Sequence, residues 1–424
     1  HNGLRQKAHR GKDCRWSVAA RYAQGNIRIY GVLIMKIAVV CDSFKGSLTS
    51  KDACAAVKDG LLRCNKNFEV LSLPFADGGE GTSRCFYDIL GGQLRKAAVH
   101  DPLLREITAE YTVLPDGTAV IDVASASGLT LLKSSERDAV KVSSLGSGEL
   151  ICDAAEHGAK HIILGLGGSA TTDAGTGILY ALGMRFFSED GVEVLPDGQN
   201  MIRVKKIRRT ENFERFKDIK FTLACDVTNP LCGENGAAYV FSPQKGASKN
   251  DVELLDDGLR NIGEIFEKAS GKKIINLPGA GAAGGIGGGL SAFLNCELQS
   301  GFDVLARAAS LEDKIRRSDA VITGEGKTDR QTLFGKLPKR VSDIAEKFGV
   351  PCILLSGDVE NDISAEKLGV CEIHKIKENG ISLEHCMKNA ASLLSERAFA
   401  IGKDSKIINK QYSRKQEKMR ENER

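Results

Sequence analysis

Several segments of the sequence combine glycine and hydroxyl side chains with a carboxylate or a lysine. One of them, GLGGSATTDAGTG at residues 165–177, follows the apolar run HIILG and contains a single carboxylate, Asp173. Glycine lets backbone N–H groups approach a ligand closely, and such groups bind anions together with hydroxyls and a helix N-terminus. A tight strand-to-helix turn without a ligand is the alternative that this segment alone leaves open.

Segments of the same kind follow several predicted strands. They are DSFKG (42–46), ADGGEG (76–81), GGSATTD (167–173), CDVTNP (225–230) and TGEGKTD (323–329). In open α/β sheets, ligands bind outside the carboxyl ends of the strands, so we expect these segments to line one cleft. Lysines for phosphate charge, carboxylates for Mg²⁺ and N–H groups for phosphate oxygens are the parts of a phosphoryl-transfer site.

Four residues of these and neighbouring segments are candidates for catalysis or substrate binding. Lys45 would neutralise phosphate charge in the transition state, although a loop lysine is more commonly only solvated. Asp173 is our first candidate for the general base and Asp226 the second. Their structural alternatives are a helix N-cap for Asp173 and an Asx turn for Asp226. Lys245, in SPQKGA, is a candidate ligand for a carboxylate or a phosphate.

The remaining candidates bind metal or phosphate. Four carboxylates are candidate Mg²⁺ ligands, directly or through water: Asp77, Glu80, Glu325 and Asp329. The candidate contacts to phosphate or substrate are small residues: Ser43, Gly46, Gly78, Gly79, Gly168, Ser169, Thr171, Gly281, Gly284 and Gly285. The last three lie in PGAGAAGGIGGGL (278–290), which we interpret as a phosphate-facing loop and helix start.

The composition indicates a soluble protein without a nucleic-acid-binding surface. Of its 424 residues, 42% are hydrophobic and 27% charged, as in ordinary soluble proteins. No apolar run approaches the roughly 20 residues that cross a bilayer. The core at residues 35–402 has a net charge of −6, because residues 1–34 carry +6 and residues 403–424 carry +4. An acidic core argues against nucleic acid as a partner.

Cysteine and glycine spacing argues against two other kinds of site. The 12 Cys include no CxxC pair and the 7 His no HExxH motif, which argues against zinc. Cysteines in apolar context, such as Cys54 and Cys352, indicate reduced core residues of a cytoplasmic protein. A Walker A motif is absent, and the GxGxxG within 279–289 follows Pro278 rather than a strand. A nucleotide-dependent oxidoreductase is therefore the weaker alternative.

The order of predicted elements indicates an α/β fold with two domains. Strand–helix patterns at both ends of the core predict a Rossmann- or flavodoxin-like domain built from 35–75 and 297–400. Residues 76–296 predict an inserted mixed α/β domain, since PDG separates two β-rich runs there. We interpret residues 1–34 as a non-native or unstructured leader, with a targeting segment as the alternative. Residues 403–424 predict a charged tail, either a frayed helix or disordered.

Taken in order, these segments resemble the bacterial-type, ATP-dependent glycerate kinase family. The motifs run from DSFKGSL through ADGGEGT, GGSATTDAGTG, ACDVTNPLCG, FSPQKGA and PGAGAAGGIGGGL to VITGEGKTDRQT. The resemblance implies phosphorylation of D-glycerate by ATP with Mg²⁺ in an interdomain cleft, with 2-phosphoglycerate favoured over 3-phosphoglycerate. We expect small-molecule substrates as the partners and no membrane partner. A homo-oligomer is compatible with the resemblance. A catalytically inactive homologue that still binds these ligands is a further alternative.

Three residues depart from the pattern of that family. Cys41 stands where a proline usually precedes DSFKG, and Arg330 replaces a small residue. Ala174 replaces the first of two glycines after Asp173. An alanine would be strained at positive φ but harmless at a helix N-terminus, and we expect the second case. Arg330 would contact phosphate or point to water.

Overall fold

The computed structural model describes residues 34–76, 78–378 and 380–422. The predicted leader, apart from Ile34, and the predicted metal ligand Asp77 lie outside these residues. The described residues form an α/β fold with two main sheets, as the sequence predicts.

Strands occur along most of the described chain. They are β1 (Met35–Cys41), β2 (Phe68–Pro74), β3 (Gln93–His100), β4 (Glu106–Val113), β5 (Ala119–Asp122), β6 (His161–Gly165), β7 (Met184–Phe187), β8 (Lys206–Arg209), β9 (Lys220–Ala224), β10 (Asn295–Gln299), β11 (Ala320–Gly324), β12 (Lys327–Thr328), β13 (Cys352–Ser356), β14 (Asp358–Val359) and β15 (Glu372–Lys375). Strands β7 and β8 form one small two-stranded sheet, and β12 and β14 form another.

Helices alternate with most of these strands. They are α1 (Ser50–Cys64), α2 (Thr82–Leu90), α3 (Ala124–Ser127), α4 (Leu145–Glu156), α5 (Thr176–Ala181), α6 (Ala237–Phe241), α7 (Lys249–Ser270), α8 (Ala282–Phe293), α9 (Gly301–Ala308), α10 (Leu311–Arg316), α11 (Arg330–Leu333), α12 (Leu337–Lys347), α13 (Ala365–Leu368), α14 (Leu383–Lys388), α15 (Ala390–Asp404) and α16 (Lys406–Asn422). Short 3₁₀ helices span Leu129–Leu131, Ser134–Glu136, Gly198–Arg203, Glu211–Phe216 and Pro243–Lys245. Of the helices in the described part of the chain, none combines the length and the apolar composition needed to span a membrane.

The first sheet is parallel, with the strand order β15–β13–β11–β1–β2. Its central strands are apolar runs that are buried along their whole length, as expected where helices cover both faces. The chain adds β2 on one side of β1 and later adds β11, β13 and β15 on the other. This is the flavodoxin-like order, and its switch point lies between β1 and β11.

The second sheet is mixed, with the order β10–β9–β6–β5–β4–β3. Strands β10, β9, β6 and β5 are parallel to one another. Strand β4 is antiparallel to β5, and β3 is antiparallel to β4. The predicted hairpin at PDG is confirmed, because Leu114 N donates to Thr118 O across the turn between β4 and β5. The carboxyl ends of the four parallel strands therefore meet at one edge of this sheet.

The two sheets share buried apolar side chains. Val40 of β1, Val120 of β5 and Ile163 of β6 belong to one buried cluster, to which Phe302 of α9 also contributes. The predicted domain boundary between residues 296 and 297 falls inside β10, which pairs with β9 of the second sheet. The division into two domains stays a prediction.

Within the predicted charged tail, residues 406–422 form helix α16. Ile408 is buried against the first sheet. Lys415 donates to the Asp319 carboxylate at 2.6 Å, immediately before β11. These contacts anchor α16 at the amino end of the sheet, opposite the switch-point loops.

Candidate functional site

A cavity of about 360 Å³ lies at the carboxyl ends of β6 and β9. Its walls are Gly78, Gly79, Leu129, Leu166, Gly167, Gly168, Ser169, Cys225, Asp226, Val227, Phe241, Gln244, Lys245, Ala282 and Ala283. Six of the residues that the sequence predicts for the site, from Gly78 to Lys245, are thus brought together. The position agrees with the rule that ligands bind outside the carboxyl ends of parallel strands.

Glycine is required in the cavity wall because two loops touch there through their backbones. Gly167 N donates to Gly78 O at 3.0 Å, and a Cβ on Gly167 would lie 2.5 Å from the Cα of Gly79. Within the described residues, the N–H groups of Gly168 and Ser169 have no acceptor. These two N–H groups are available to an anion in the cavity.

Lys245 places a buried ammonium group in the cavity wall. Its side chain lies in the short 3₁₀ helix after α6, and the residue is only 3% exposed. The Nζ atom donates to the carbonyl of Thr171 at 2.6 Å, which leaves two of its three N–H groups for a ligand. Burial lowers the pKa of Lys245 to about 8, although the nearby Asp173 opposes this shift. A buried cation of this kind favours an anionic ligand.

Asp173, the first candidate for the general base, lies outside the cavity and is fully buried. Its carboxylate accepts hydrogen bonds from Ser144 N at 2.8 Å, Ser144 Oγ at 2.7 Å, Gly175 N at 3.1 Å and Gly177 N at 3.4 Å. Burial raises its pKa, and these donors oppose the shift. A base must reach the hydroxyl that it deprotonates, whereas the carboxylate of Asp173 is occupied by these four donors. The N-cap expected as the structural alternative is wrong, because Gly175 is the N-cap of α5.

Asp226, the second candidate, lines the cavity with about a third of its side chain exposed. Its Oδ1 lies 4.0 Å from Nη1 of Arg340, a residue of α12 that the sequence reasoning missed. The Arg340 guanidinium lies over the Phe302 ring. It donates hydrogen bonds to Ser300 Oγ at 2.8 Å and to Asp303, and these contacts fix its orientation. No local motif marks Arg340, because its partners lie in other elements.

Asp122 is a second residue that the sequence reasoning missed. It ends β5 and is buried, and its two carboxylate oxygens accept from Gly81 N and Ser83 N, both at 2.9 Å. Burial raises the pKa of Asp122 to about 7 against these hydrogen bonds, and the charge of Glu80 adds to the rise. Asp122 therefore holds the loop that contributes Gly78 and Gly79 to the cavity. The feature of the sequence that could have identified Asp122 is an acidic residue directly after the apolar run at 119–121.

The other predicted residues form a second group at the carboxyl ends of β1 and β11. We call this place the β1/β11 crevice and define it by residues 42–49 and 325–329. Its two loops are in direct contact: Asp42 N donates to Gly324 O at 2.9 Å, and a Cβ on Gly326 would lie 3.1 Å from the Cα of Phe44. The predicted residues thus form two groups, at the cavity and at the crevice, and their sharing one cleft stays a prediction.

The crevice contains Ser43, Lys45, Gly46, Glu325 and Asp329. Lys45 is exposed, while Glu325 is buried and accepts from Thr332 Oγ1 at 2.6 Å. Burial raises the pKa of Glu325. Asp329 caps α11 by accepting from the N–H groups of residues 331 and 332, and Lys336 Nζ lies 3.1 Å away.

The predicted metal ligands are divided between these two places. Glu80 belongs to the loop beside the cavity and accepts from Thr130 Oγ1 at 3.4 Å, whereas Glu325 and Asp329 belong to the crevice. Residues 34–76, 78–378 and 380–422 contain no group of three or more His, Cys, Asp or Glu that could hold a metal ion. Mg²⁺ commonly uses one or two carboxylates together with substrate phosphates, so Glu80 beside the cavity and the two carboxylates of the crevice are compatible with it.

The glycines predicted to face phosphate lie behind the cavity wall instead. A Cβ on Gly284 would lie 2.0 Å from Thr171 O, and one on Gly281 would lie 2.3 Å from Pro230 O. Gly285 packs in the same way against the Cα of Ala174. The cavity wall at this point is Ala282 and Ala283, so the glycines serve close backbone packing.

One of the three departures has a different setting from the one expected. Ala174 has φ of 51°, so the expectation of a harmless helical position is wrong; the residue precedes Gly175, which is also left-handed. Left-handed backbone costs an alanine about 1 kcal/mol. The side chain of Arg330 is mostly exposed to water, and its guanidinium pairs with Asp362 at 2.6 Å. Cys41 ends β1 and is buried.

Comparison with known proteins finds one family over most of the chain. Residues 37–406 match the model of the glycerate kinase family. A glycerate kinase of Halalkalibacterium halodurans is 38% identical over 85% of this chain and 96% of its own length. A glycerate 2-kinase of Escherichia coli K12 is 41% identical over 78% of this chain and 87% of its own. A crystal structure from Salmonella typhimurium LT2 that carries the name glycerate kinase 2 superposes with a TM-score of 0.77, at 35% identity, and covers 87% of this chain and 98% of that one.

Proposed function

The chain belongs to the glycerate kinase family, and on that premise we propose that it transfers the γ-phosphoryl group of ATP to D-glycerate. The observation that carries the proposal is the cavity, whose wall includes the buried Lys245, the carboxylate residue Asp226, and Gly168 and Ser169 with their available N–H groups. The product is 2-phosphoglycerate. The name of the Escherichia coli relative, glycerate 2-kinase, supports that position of transfer.

In this mechanism the cavity binds and orients the acid. The carboxylate of D-glycerate accepts hydrogen bonds from Lys245 Nζ and from the N–H groups of Gly168 and Ser169. Asp226 then accepts the proton of the attacking hydroxyl, a task for which its partly exposed position at the cavity suits it. We infer this role for Asp226 rather than for Asp173, whose carboxylate is saturated by backbone and serine donors.

The crevice has the donor types that a nucleotide and Mg²⁺ require. Lys45 offers an exposed cation for phosphate charge, and Ser43 offers a hydroxyl beside it. Oxygen ligands for Mg²⁺ are present at Glu325 and Asp329, and Glu80 offers another beside the cavity. When bound, Mg²⁺ would neutralise part of the phosphate charge.

The surroundings of the cysteines support a cytoplasmic location for this reaction. Every cysteine of the described residues is a free thiol, and burial raises the pKa of several of them, including Cys152 and Cys225 to about 11. Buried thiols that stay reduced are typical of proteins in reducing compartments. We propose that the enzyme acts there on small molecules alone.

Turnover of the full-length protein with ATP, MgCl₂ and D-glycerate tests the proposal, with the product read by ³¹P NMR. The expected result is 2-phosphoglycerate, with no product when D-glycerate is omitted. 3-Phosphoglycerate would keep the kinase and correct the position of transfer. Binding of ATP and D-glycerate without any product would instead identify an inactive homologue.

A further inference from the structure

We propose that the cavity and the β1/β11 crevice are separate subsites, with the hydroxy acid in the cavity and the triphosphate of the nucleotide in the crevice. The proposal rests on the proposed function, since it divides that reaction's two substrates between the two groups of residues. The sequence motifs alone do not make this division, because they are equally rich in glycine, hydroxyls and carboxylates.

Strand order is the first reason to place the nucleotide in the crevice. In open α/β sheets a ligand binds where successive crossovers turn to opposite sides, and that point lies between β1 and β11. The parallel strands of the second sheet follow one another from β5 to β10 in a single direction, so this part of the sheet has no such switch. The crevice loops are the ones that leave β1 and β11.

The shape and charge of the crevice are the second reason. Phe44 is buried and exchanges both backbone hydrogen bonds with Leu48, at 2.9 and 3.0 Å, so the intervening residues form a tight, exposed tip. Lys45 lies in this tip, and no carboxylate of the described residues forms an ion pair with it. Lys327 and Lys336 are also nearby, but they are paired with Glu360 at 2.8 Å and with Asp329 at 3.1 Å. Lys45 is therefore the cation that the crevice offers to a polyanion.

The cavity, by contrast, suits a small monoanion. The lining of the cavity contains one cation, Lys245. Its ammonium is buried and donates one of its hydrogen bonds to the carbonyl of Thr171. Asp226 faces the same space, and its negative charge would repel a triphosphate much more strongly than a single carboxylate. Glycerate brings one carboxylate for Lys245 and a hydroxyl for Asp226.

The two subsites are close enough for transfer between them. Phe75 N donates to Cys41 O at 3.0 Å, directly before the crevice loop, and Gly78 lines the cavity three residues later. Three residues of extended chain span at most roughly 11 Å. Arg340 also links the two places, because α12 follows the crevice loop and the Arg340 guanidinium lies beside Asp226.

A matched pair of charge substitutions tests the division by binding rather than by turnover. Lys45→Glu puts a carboxylate in the crevice and Gln244→Glu puts one in the cavity, both at exposed side chains that the fold tolerates. Lys58→Glu on α1 and Gln93→Glu on β3 make the same charge changes at exposed positions outside both subsites. Calorimetric titrations with ADP and with D-glycerate are made on each full-length variant.

We expect Lys45→Glu to weaken ADP binding by about tenfold and D-glycerate binding by less than about threefold, and Gln244→Glu to do the reverse. Both controls should bind as the parent does. A crossed result, or equal weakening of both ligands by either variant, overturns the division.

Failure of the proposed function has a different signature. It would be a parent protein that neither binds nor phosphorylates D-glycerate. In that case an ADP affinity that falls in Lys45→Glu alone still supports the crevice assignment, and an ADP affinity that falls in Gln244→Glu overturns it.

Discussion

At the scale of single residues, the site is built around charged groups that are taken out of water. Lys245, Asp173 and Asp122 are all buried, and each is stabilised differently. Asp173 and Asp122 accept several backbone hydrogen bonds, whereas Lys245 donates to one carbonyl only. The two carboxylates are therefore satisfied without a ligand, and the ammonium is the buried group with donors to spare.

The pH dependence of substrate binding follows from Lys245. Its folded-state pKa of about 8 lies below the ordinary value of 10.5, so the ammonium loses its proton as the pH rises through 8. Only the charged form attracts a carboxylate, and we expect the KM for D-glycerate to rise above pH 8. In Lys245→Met the KM should be high and should not change between pH 7 and 9.5. A parent KM that is constant over this range would contradict the assignment.

The lowered pKa of Lys245 has the opposite effect on stability: substrate binding weakens as the pH rises, whereas the free energy of unfolding increases. Between pH 8 and 10.5 the unfolded chain binds more protons at Lys245 than the folded chain does, so this group's contribution to the free energy of unfolding increases as the pH rises. Burial of the charged form costs stability below pH 8. In urea unfolding, the free energy of unfolding of the parent minus that of Lys245→Met should be higher at pH 9.5 than at pH 7.

Asp173→Asn separates structure from catalysis. Asparagine leaves some of the buried N–H donors around residue 173 without an acceptor, and we expect the free energy of unfolding to fall by about 2–4 kcal/mol. The folded variant should keep kcat within about tenfold of the parent. Asp226→Asn is the matched control, with little change in stability and a loss of about 10²–10⁴ in kcat. The reverse pattern would return the base to Asp173.

The residues that the sequence could and could not identify differ in the range of their contacts. Lys245 and Gly168 were predicted because they lie in short segments whose composition already indicates anion binding. Arg340 and Asp122 act on residues far along the chain, and Gly81, for example, is 41 residues from Asp122. No local composition encodes such pairs, since they exist only once the strands are ordered in the sheets.

At the scale of elements, α8 shows why this chain contains so many glycines. Residues 283–285 of α8 have left-handed backbone, and Gly284, Gly285 and Gly289 pack against residues 171–174, the loop that carries Thr171 and Asp173. The close approach of the two backbones fixes the carbonyl that holds Lys245. The glycine run predicted as a phosphate loop thus shapes the cavity from behind.

Gly289→Ala tests this packing. A Cβ at residue 289 would lie 1.8 Å from the carbonyl oxygen of Ala174, so the loop or the helix must move. We expect a loss of about 3 kcal/mol in the free energy of unfolding, measured in urea. The KM for D-glycerate should rise as well, because Thr171 moves with the loop. Gly271→Ala, at a left-handed position in open space, should cost only about 1 kcal/mol and leave the KM unchanged.

Elements were predicted well where an apolar run stands between turn residues, as in β1, β6 and β11. Strand β10 escaped prediction because its sequence, NCELQ, is only partly buried at the edge of the sheet. The grouping of the loops into cavity and crevice was also not predictable, because it depends on the path that each loop takes after its strand. DSFKG and ADGGEG follow β1 and β2, which are neighbours in the same sheet, yet only ADGGEG contributes to the cavity wall.

At the scale of the whole molecule, the C-terminal helix closes the amino end of the first sheet. Removal of residues 406–424 would expose the surface that Ile408 covers and would break the Lys415–Asp319 ion pair. We expect the loss of about 2–3 kcal/mol in stability, mostly from the buried isoleucine. Both KM values should stay as in the full chain, because the subsites lie at the opposite end of the strands. A changed KM for ATP would show that α16 also acts on the crevice.

The position of β1 between β2 and β11 affects how the protein folds during its synthesis on the ribosome. β1 emerges long before its partner β11, which follows 279 residues after Cys41. At 5–20 residues per second this interval lasts about 15–55 s, during which every strand of the second sheet becomes available first. The nascent chain therefore carries an apolar, half-paired β1 and β2 while the second sheet folds, and this pair is where a chaperone would be needed.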